Sequence, residues 1–232
     1  MTRPGFITGL AAESRALRRG ARAYDAAIQP QVVCAGARPA KARSESQRLV
    51  AEGAAVLVSF GVAGGLDPAH PAGTLLLPET VSWDDGPRLS ADADIHDGLR
   101  RAASGTSMTT APLIGCDQVI ASVAGKAALR ARSGAAAVDM ESHVVAAVAH
   151  GAGVPFVVIR AVVDGADSAL PSSVLGAVTP DGRSRGGLVA ARLCLKPWQL
   201  PTVRRLQAQM GQALATLERF ATAAAPVLFS RF

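Results

Sequence analysis

Three carboxylates in this 232-residue chain sit where an apolar run stops. Glu141 lies in Val138-Asp139-Met140-Glu141-Ser142, which ends the apolar run at 135–138 and opens a helical pattern over 141–150. Asp164 closes a second run, 154–163. Glu13 comes four residues after Gly9, just past the short run 6–10. A carboxyl group kept neutral by partial burial can donate a proton, and an ionised one can steady positive charge. Ligands bind open α/β sheets outside the carboxyl ends of the strands. Gly9 with Glu13, the stretch Gly61-Val62-Ala63-Gly64-Gly65, Asp117, Glu141 and Asp164 all follow apolar runs and are expected to gather on one sheet edge as a pocket. Each also has a plainer reading. Glu141 suits the first turn of a helix, Asp164 suits a cap on the following turn, and the glycines suit a tight strand-to-helix connection. Together they favour an enzyme over a scaffold.

The elements needed to hold these residues alternate. Strands are expected at 6–10, 32–36, 54–60, 74–77, 108–114, 135–138 and 154–163, and helices at 13–22, 39–53, 94–103, 124–132 and 141–150. Pro39 and Gly53 punctuate the second helix. The run 54–60 is apolar throughout, as in a strand covered on both faces, and leads into the glycine stretch as a loop whose N–H groups could hold an anion or a sugar oxygen. The alternation predicts a covered, mixed but mostly parallel α/β sheet in a three-layer α/β/α fold. The glycine stretch is neither GxGxxG nor a P-loop, which argues against dinucleotide and P-loop nucleotide binding.

Composition narrows the class. Apolar residues make up 49% of the chain and charged residues 18%, enough for a core and too apolar for extensive disorder. Cys34, Cys116 and Cys194 are far apart and form no CxxC, so a reducing, cytoplasmic compartment is expected, with no metal and no other cofactor. No secretory h-region follows Met1, and the best candidate span, 144–163, is interrupted by His150, Gly151, Gly153, Pro155 and Arg160, short of the roughly 20 apolar residues a spanning helix needs. Residues 1–170 carry 16 basic and 16 acidic side chains, whereas residues 171–232 carry eight basic against two acidic, so the net charge of +6 lies in the tail.

The motifs resemble the nucleoside phosphorylase superfamily, especially its methylthioadenosine/S-adenosylhomocysteine nucleosidase branch. The resemblance covers residues 6–167. It rests on Phe6-Ile7-Thr8-Gly9-Leu10-Ala11-Ala12-Glu13, Gly36-Ala37-Arg38-Pro39-Ala40-Lys41-Ala42, Gly61-Val62-Ala63-Gly64-Gly65-Leu66, Val138-Asp139-Met140-Glu141 and the run from Val154 to Asp167. It implies that Glu141 binds the ribose 2′ and 3′ hydroxyls, Met140 packs on the sugar, Asp164 is the general acid at purine N7, and Glu13 positions or deprotonates the attacking water. Asp139, Gly64, Ala63, Val119 and Ile120 would complete the substrate site. An Asp at 164 implies a 6-amino purine, hence adenine. The chain departs from the pattern in three places: Glu13 is one residue closer to Gly9, Val119 replaces a base-stacking aromatic, and Val163 replaces the usual Ser before the acid.

Residues 1–170 are expected to form the catalytic domain. The segment 170–185 reads as a loop, and 187–195 and 202–224 as helices of a basic extension packed on the same domain. Pro180-Asp181-Gly182-Arg183 and Lys196-Pro197-Trp198-Gln199-Leu200-Pro201 resemble the hopanoid-associated phosphorylases, which implies an amphiphilic substrate, adenosine joined at its 5′ carbon to a hopane skeleton. The basic extension is then either a peripheral contact with an anionic membrane or a helix that closes the domain or a dimer. The resemblance also implies a homo-oligomer, a dimer or larger. Few aromatics accompany the basic residues, so a nucleic-acid partner is not expected. Hydrolysis is preferred over phosphorolysis; Arg15, Arg38 or Arg43 could help bind phosphate as a co-substrate. A general purine nucleosidase or phosphorylase, and a nucleoside-binding domain without turnover, are the alternatives.

Overall fold

The computed structural model describes residues 3–22, 30–84 and 86–229. Met1, Thr2 and the end of the extension from 230 onward, including Arg231, lie outside the described residues. Along the chain run β1 (Arg3–Thr8), α1 (Ala11–Ala21), β2 (Gln31–Cys34), α2 (Pro39–Ala51), β3 (Ala54–Gly65), β4 (Leu75–Leu76), β5 (Thr80–Ser82), β6 (Leu89–Ser90) and α3 (Ala93–Ala102). Then follow β7 (Met108–Thr109), β8 (Leu113–Gly115), α4 (Val123–Ser133), β9 (Ala137–Asp139), α5 (Ser142–Ala152), β10 (Phe156–Asp164), α6 (Gly186–Leu195), α7 (Leu200–Ala223) and α8 (Ala225–Leu228).

Every residue of β10 is buried, because helices cover the sheet on both sides. Side chains alternate along the strand. Val157, Ile159, Ala161 and Val163 join a core with Leu17 of α1, Leu99 of α3 and Leu217 and Phe220 of α7. Phe156 and Val158 join the opposite core with Leu49 of α2 and Val145 of α5. Local signals fix the helix ends. Ser122 Oγ accepts from Gly125 N–H at 3.0 Å to cap α4, and Gly134 and Gly153 take φ of 66° past the last turns of α4 and α5.

The sheet is mixed and mostly parallel, in the order β6-β5-β8-β9-β3-β10-β4-β7, with β1 pairing β3 and β2. The strands β5 and β6 were not expected, and three further features differ from the sequence reading. The expected strand at 108–114 is two strands: β7 pairs β4, while β8 lies between β5 and β9. Pro112, between them, offers no N–H to a ladder. The glycine stretch is not a loop but the end of β3, whose ladder with β10 runs from Leu57 to Gly64. Finally, β9 pairs antiparallel to that end, Val138 opposite Gly64. Glu141 therefore does not share a parallel strand edge with Asp164; the chain brings it back alongside β3 from the opposite direction.

The long helix α7 buries Ala213, Thr216, Leu217, Phe220 and Ala221. It closes the face that holds α1. The two helices touch at Gly20, where an added Cβ would lie 2.5 Å from Ala221 Cβ and 3.0 Å from Glu218 O.

Candidate active site

Glu13 is in the first turn of α1 and almost fully buried. Its Oε2 accepts from the N–H groups of Gly9 and Leu10, both at 2.8 Å, and its Oε1 from Val62 N–H at 2.9 Å. The side chain thus ties the β1–α1 connection to β3. Burial pushes its pKa above the usual carboxylate range, against the pull of Arg160 and of the three N–H donors. Gly61 makes the room, since a Cβ there would lie 2.3 Å from Arg160 Nη1 and 2.6 Å from Glu13 Cδ.

Arg160 is the hub of the site. It sits fully buried inside apolar β10 and pairs with Asp139. Its Nη2 also donates to Ser59 Oγ at 2.7 Å and Ser142 Oγ at 3.1 Å, and approaches Glu141 Oε2 at 3.5 Å. Burial works against its charge, but Asp139, Glu141 and Glu13 more than offset this and push its pKa up. One cation facing three carboxyl groups leaves negative charge in excess. Glu141 answers by holding a proton: burial first, then Asp139 and Glu13, push its pKa up to about 8 against the pull of Arg160. Glu141 Oε1 is buried and, among the described residues, has no hydrogen-bond partner. A buried carboxyl oxygen left open is a place for a ligand hydroxyl.

Asp164 ends β10 and pairs with Lys126 of α4, which is fully buried. Lys126 Nζ also donates to Gly165 O at 2.8 Å and Ser168 O at 3.0 Å. Burial pushes the Asp164 pKa up, and Lys126 pulls it back. Its side chain meets this ammonium; it does not cap the following turn.

These groups face a cavity of about 160 Å³. Its lining includes Glu13, Ala63, Gly64, Val119, Ile120, Asp139, Met140, Glu141 and Asp164, the nine positions that the resemblance assigned to the site, together with Gly9, Leu10, Ala37, Val62, Gln118, Val138, Val163 and Leu170. Asp117 is not among them: its side chain is 76% exposed and bonds His143 Nε2 at 3.2 Å. Nor do Arg15, Arg38 or Arg43 line it. The Val62 N–H is taken by Glu13, so the glycine stretch offers no free anion cradle there. Among the described residues no group of three or more His, Cys, Asp or Glu could hold a metal ion.

A second cavity, of about 920 Å³, shares Leu10, Val62, Val119, Val163, Asp164 and Leu170 with the first. It is mainly apolar. Val174 and Ala177 from the 170–185 loop, Val189 and Leu193 from α6, and Val203, Leu206 and Met210 from α7 line it, with Arg15, Arg183 and Arg204.

Residues 17–193 match the phosphorylase superfamily. The chain belongs to that superfamily. The fold of this superfamily member is similar to several solved structures. The 5′-methylthioadenosine/S-adenosylhomocysteine nucleosidase of Neisseria meningitidis, in complex with methylthio-immucillin-A, is 17% identical with a TM-score of 0.72, covering 97% of this chain and 98% of that one. The nucleosidase of Colwellia psychrerythraea 34H, in complex with adenine, is 16% identical with a TM-score of 0.71, over 98% and 96%. The futalosine hydrolase of Helicobacter pylori is 15% identical with a TM-score of 0.68, over 94% and 97%. No curated protein matches the chain.

Four polar groups of this phosphorylase-superfamily site escaped the sequence reading: Arg160, Lys126, Ser142 and Ser59. Arg160 did leave a signal. A charge inside a strand covered on both faces requires buried partners of opposite sign. Lys126 left none, being one basic residue of several on α4 and remote in sequence from Asp164.

Proposed function

We propose that this protein hydrolyses the N-glycosidic bond of a 5′-substituted adenosine and releases adenine. The observation that carries the reading is that three buried carboxyl groups, Glu13, Glu141 and Asp164, line one cavity. Breaking the C1′–N9 bond sends its electron pair into the purine and leaves positive charge on the ribose. Asp164, kept toward its neutral form by burial, gives its proton to N7. The open Glu141 Oε1 accepts from the ribose 2′ and 3′ hydroxyls, and Met140 packs on the sugar. A water attacks C1′ and loses its proton to Glu13, which the three N–H groups hold in place. Membership of the superfamily and the similar nucleosidases, solved with methylthio-immucillin-A and with adenine, support a purine nucleoside substrate.

Water is favoured over phosphate as acceptor. A phosphate dianion beside Glu13 would meet like charge, and Arg15, Arg38 and Arg43 do not reach the cavity lining. The apolar second cavity adjoins the first at Val119 and Val163, which supports a bulky apolar 5′ group. Adenosine carrying a hopane chain, and thus a step of hopanoid synthesis, is the specific substrate and role we infer.

Adenine release from 5′-alkylthioadenosines of increasing chain length, with and without phosphate, tests the reading. Mass measurement of the sugar product separates a free reducing sugar from a 1-phosphate ester. kcat/KM should rise with chain length. Asp164→Asn should abolish release in a protein that still folds; full activity in that variant would remove the proposed acid.

A further inference from the structure

The helix α6, Gly-Gly-Leu-Val-Ala-Ala-Arg-Leu-Cys-Leu, is apolar except for Arg192, yet none of its ten residues is buried. Such a sequence ordinarily disappears into a core. Here polar tethers hold it against the body: Arg192 donates to Leu175 O at 2.6 Å, and Lys196, just past its end, to Ser172 Oγ at 2.9 Å. The turn that follows is more exposed still. Leu195, Trp198 and Leu200 are 78%, 70% and 39% exposed, and they are three of the five exposed large hydrophobic residues among the described residues. The other two, Val119 and Val123, lie elsewhere in the chain. Around this patch the charge is mainly positive, although Asp181 pairs with Arg183 at 3.1 Å. Residues 182–217 contain Arg183, Arg185, Arg192, Lys196, Arg204 and Arg205 and no Asp or Glu.

We propose that α6 and residues 195–200 form a docking face for an anionic lipid bilayer. An apolar ridge carrying an exposed Trp, set among basic side chains, matches a membrane interface: Leu and Trp enter the headgroup boundary while Arg and Lys meet lipid phosphates. A second copy of this chain fits less well, because it would bring two predominantly basic surfaces together. Nucleic acid would satisfy the basic residues but leave Leu195 and Trp198 in water. The large apolar cavity lies directly behind the same elements, lined by Val189, Leu193 and Leu200. An apolar chain drawn from the bilayer would therefore have a short path inward. The docking face is a property of the surface and stands whether or not the glycosidic bond is the one cleaved.

The test uses the full chain and vesicles of phosphatidylcholine, alone or with about one-third phosphatidylglycerol, in a flotation assay. Leu195 and Trp198 line neither cavity, and their exposure lets both be replaced without loss of the fold. The full chain should float with anionic vesicles and about tenfold less with neutral ones. Leu195→Ser/Trp198→Ser should lower anionic flotation by about tenfold at an unchanged melting temperature. Brominated lipid should quench the full chain, and the quenching should vanish in Trp198→Phe, which leaves Trp83 as reporter. Equal flotation of the Ser variant, or no flotation of the full chain, overturns the proposal. So does a dimer that the double substitution dissociates, which would assign the face to a second copy, or flotation replaced by salt-sensitive DNA binding.

Discussion

Gly9→Ala should damage chemistry while sparing the fold. A Cβ at Gly9 would stand 2.7 Å from Glu141 Oε1 and 3.1 Å from its Cδ, closer than nonbonded atoms tolerate. The backbone of Gly9 is not left-handed, so alanine is acceptable there, and its N–H still reaches Glu13. What must move is the end of the Glu141 side chain, which displaces Oε1 from its present place in the cavity. Replacing Gly by Ala at an unstrained position stabilises by about 0.4–1 kcal/mol through the unfolded chain, which offsets part of the cost of shifting Glu141. The melting temperature should stay within a few degrees. If Glu141 binds the sugar, the two lost hydrogen bonds, made to a neutral carboxyl group, amount to about 1–3 kcal/mol together, or roughly a 5- to 150-fold fall in kcat/KM. The assay pairs adenine release from a 5′-alkylthioadenosine with thermal unfolding of the same preparation. A Gly9→Ala protein turning over at the wild-type kcat/KM would refute the assignment of Glu141 to the sugar.

Other expectations follow from the buried charges. Arg160→Met leaves Asp139 and its neighbours without their cation and should cost about 3–5 kcal/mol in urea unfolding; a loss below 1 kcal/mol would deny Arg160 its place as hub. Lys126→Met removes the group that pulls the Asp164 pKa down, so Asp164 stays protonated to higher pH and the alkaline limb of kcat/KM should move upward. An unmoved limb would mean that this limb does not report Asp164. Glu141 titrates near 8 in the folded protein against an ordinary value of 4.5. The stability it contributes is complete below the lower value and fades as pH rises through the upper one, at about 1.4 kcal/mol per unit of pKa shift. Denaturant unfolding between pH 5 and 8 should show this decline, and Glu141→Gln should flatten it.

Much of the site could be read from where apolar runs stop, because a strand end fixes the position of the residue that follows. It does not fix direction. Asp117 follows β8 as expected, yet its side chain points to solvent and His143. Glu141 reaches the cavity along an antiparallel strand that a period-two pattern cannot distinguish from a parallel one. The glycines of 61–65 read as a loop because glycine weakens strands; here Gly61 lets Glu13 and Arg160 approach β3, a reason that becomes visible only when those partners are in place. Helix positions were easier, since Pro39, Gly53 and Gly134 act locally. The basic extension carried two meanings in sequence, and different parts of it hold them. The inner half of α7 completes the core, whereas α6 stays outside it.

The contact at Gly20 limits how the C-terminal segment can be dissected. The helix that supplies Glu13 rests there on the last turns of α7, with no space for even a methyl group between them. Cutting the chain ahead of α7 would strip the support from Leu17 and Phe6 and leave Glu13 on an unbraced helix. A shortened protein that no longer reached membranes and no longer turned over would thus confuse two separate losses. Single replacements on the outer surface are the instrument that can keep them apart.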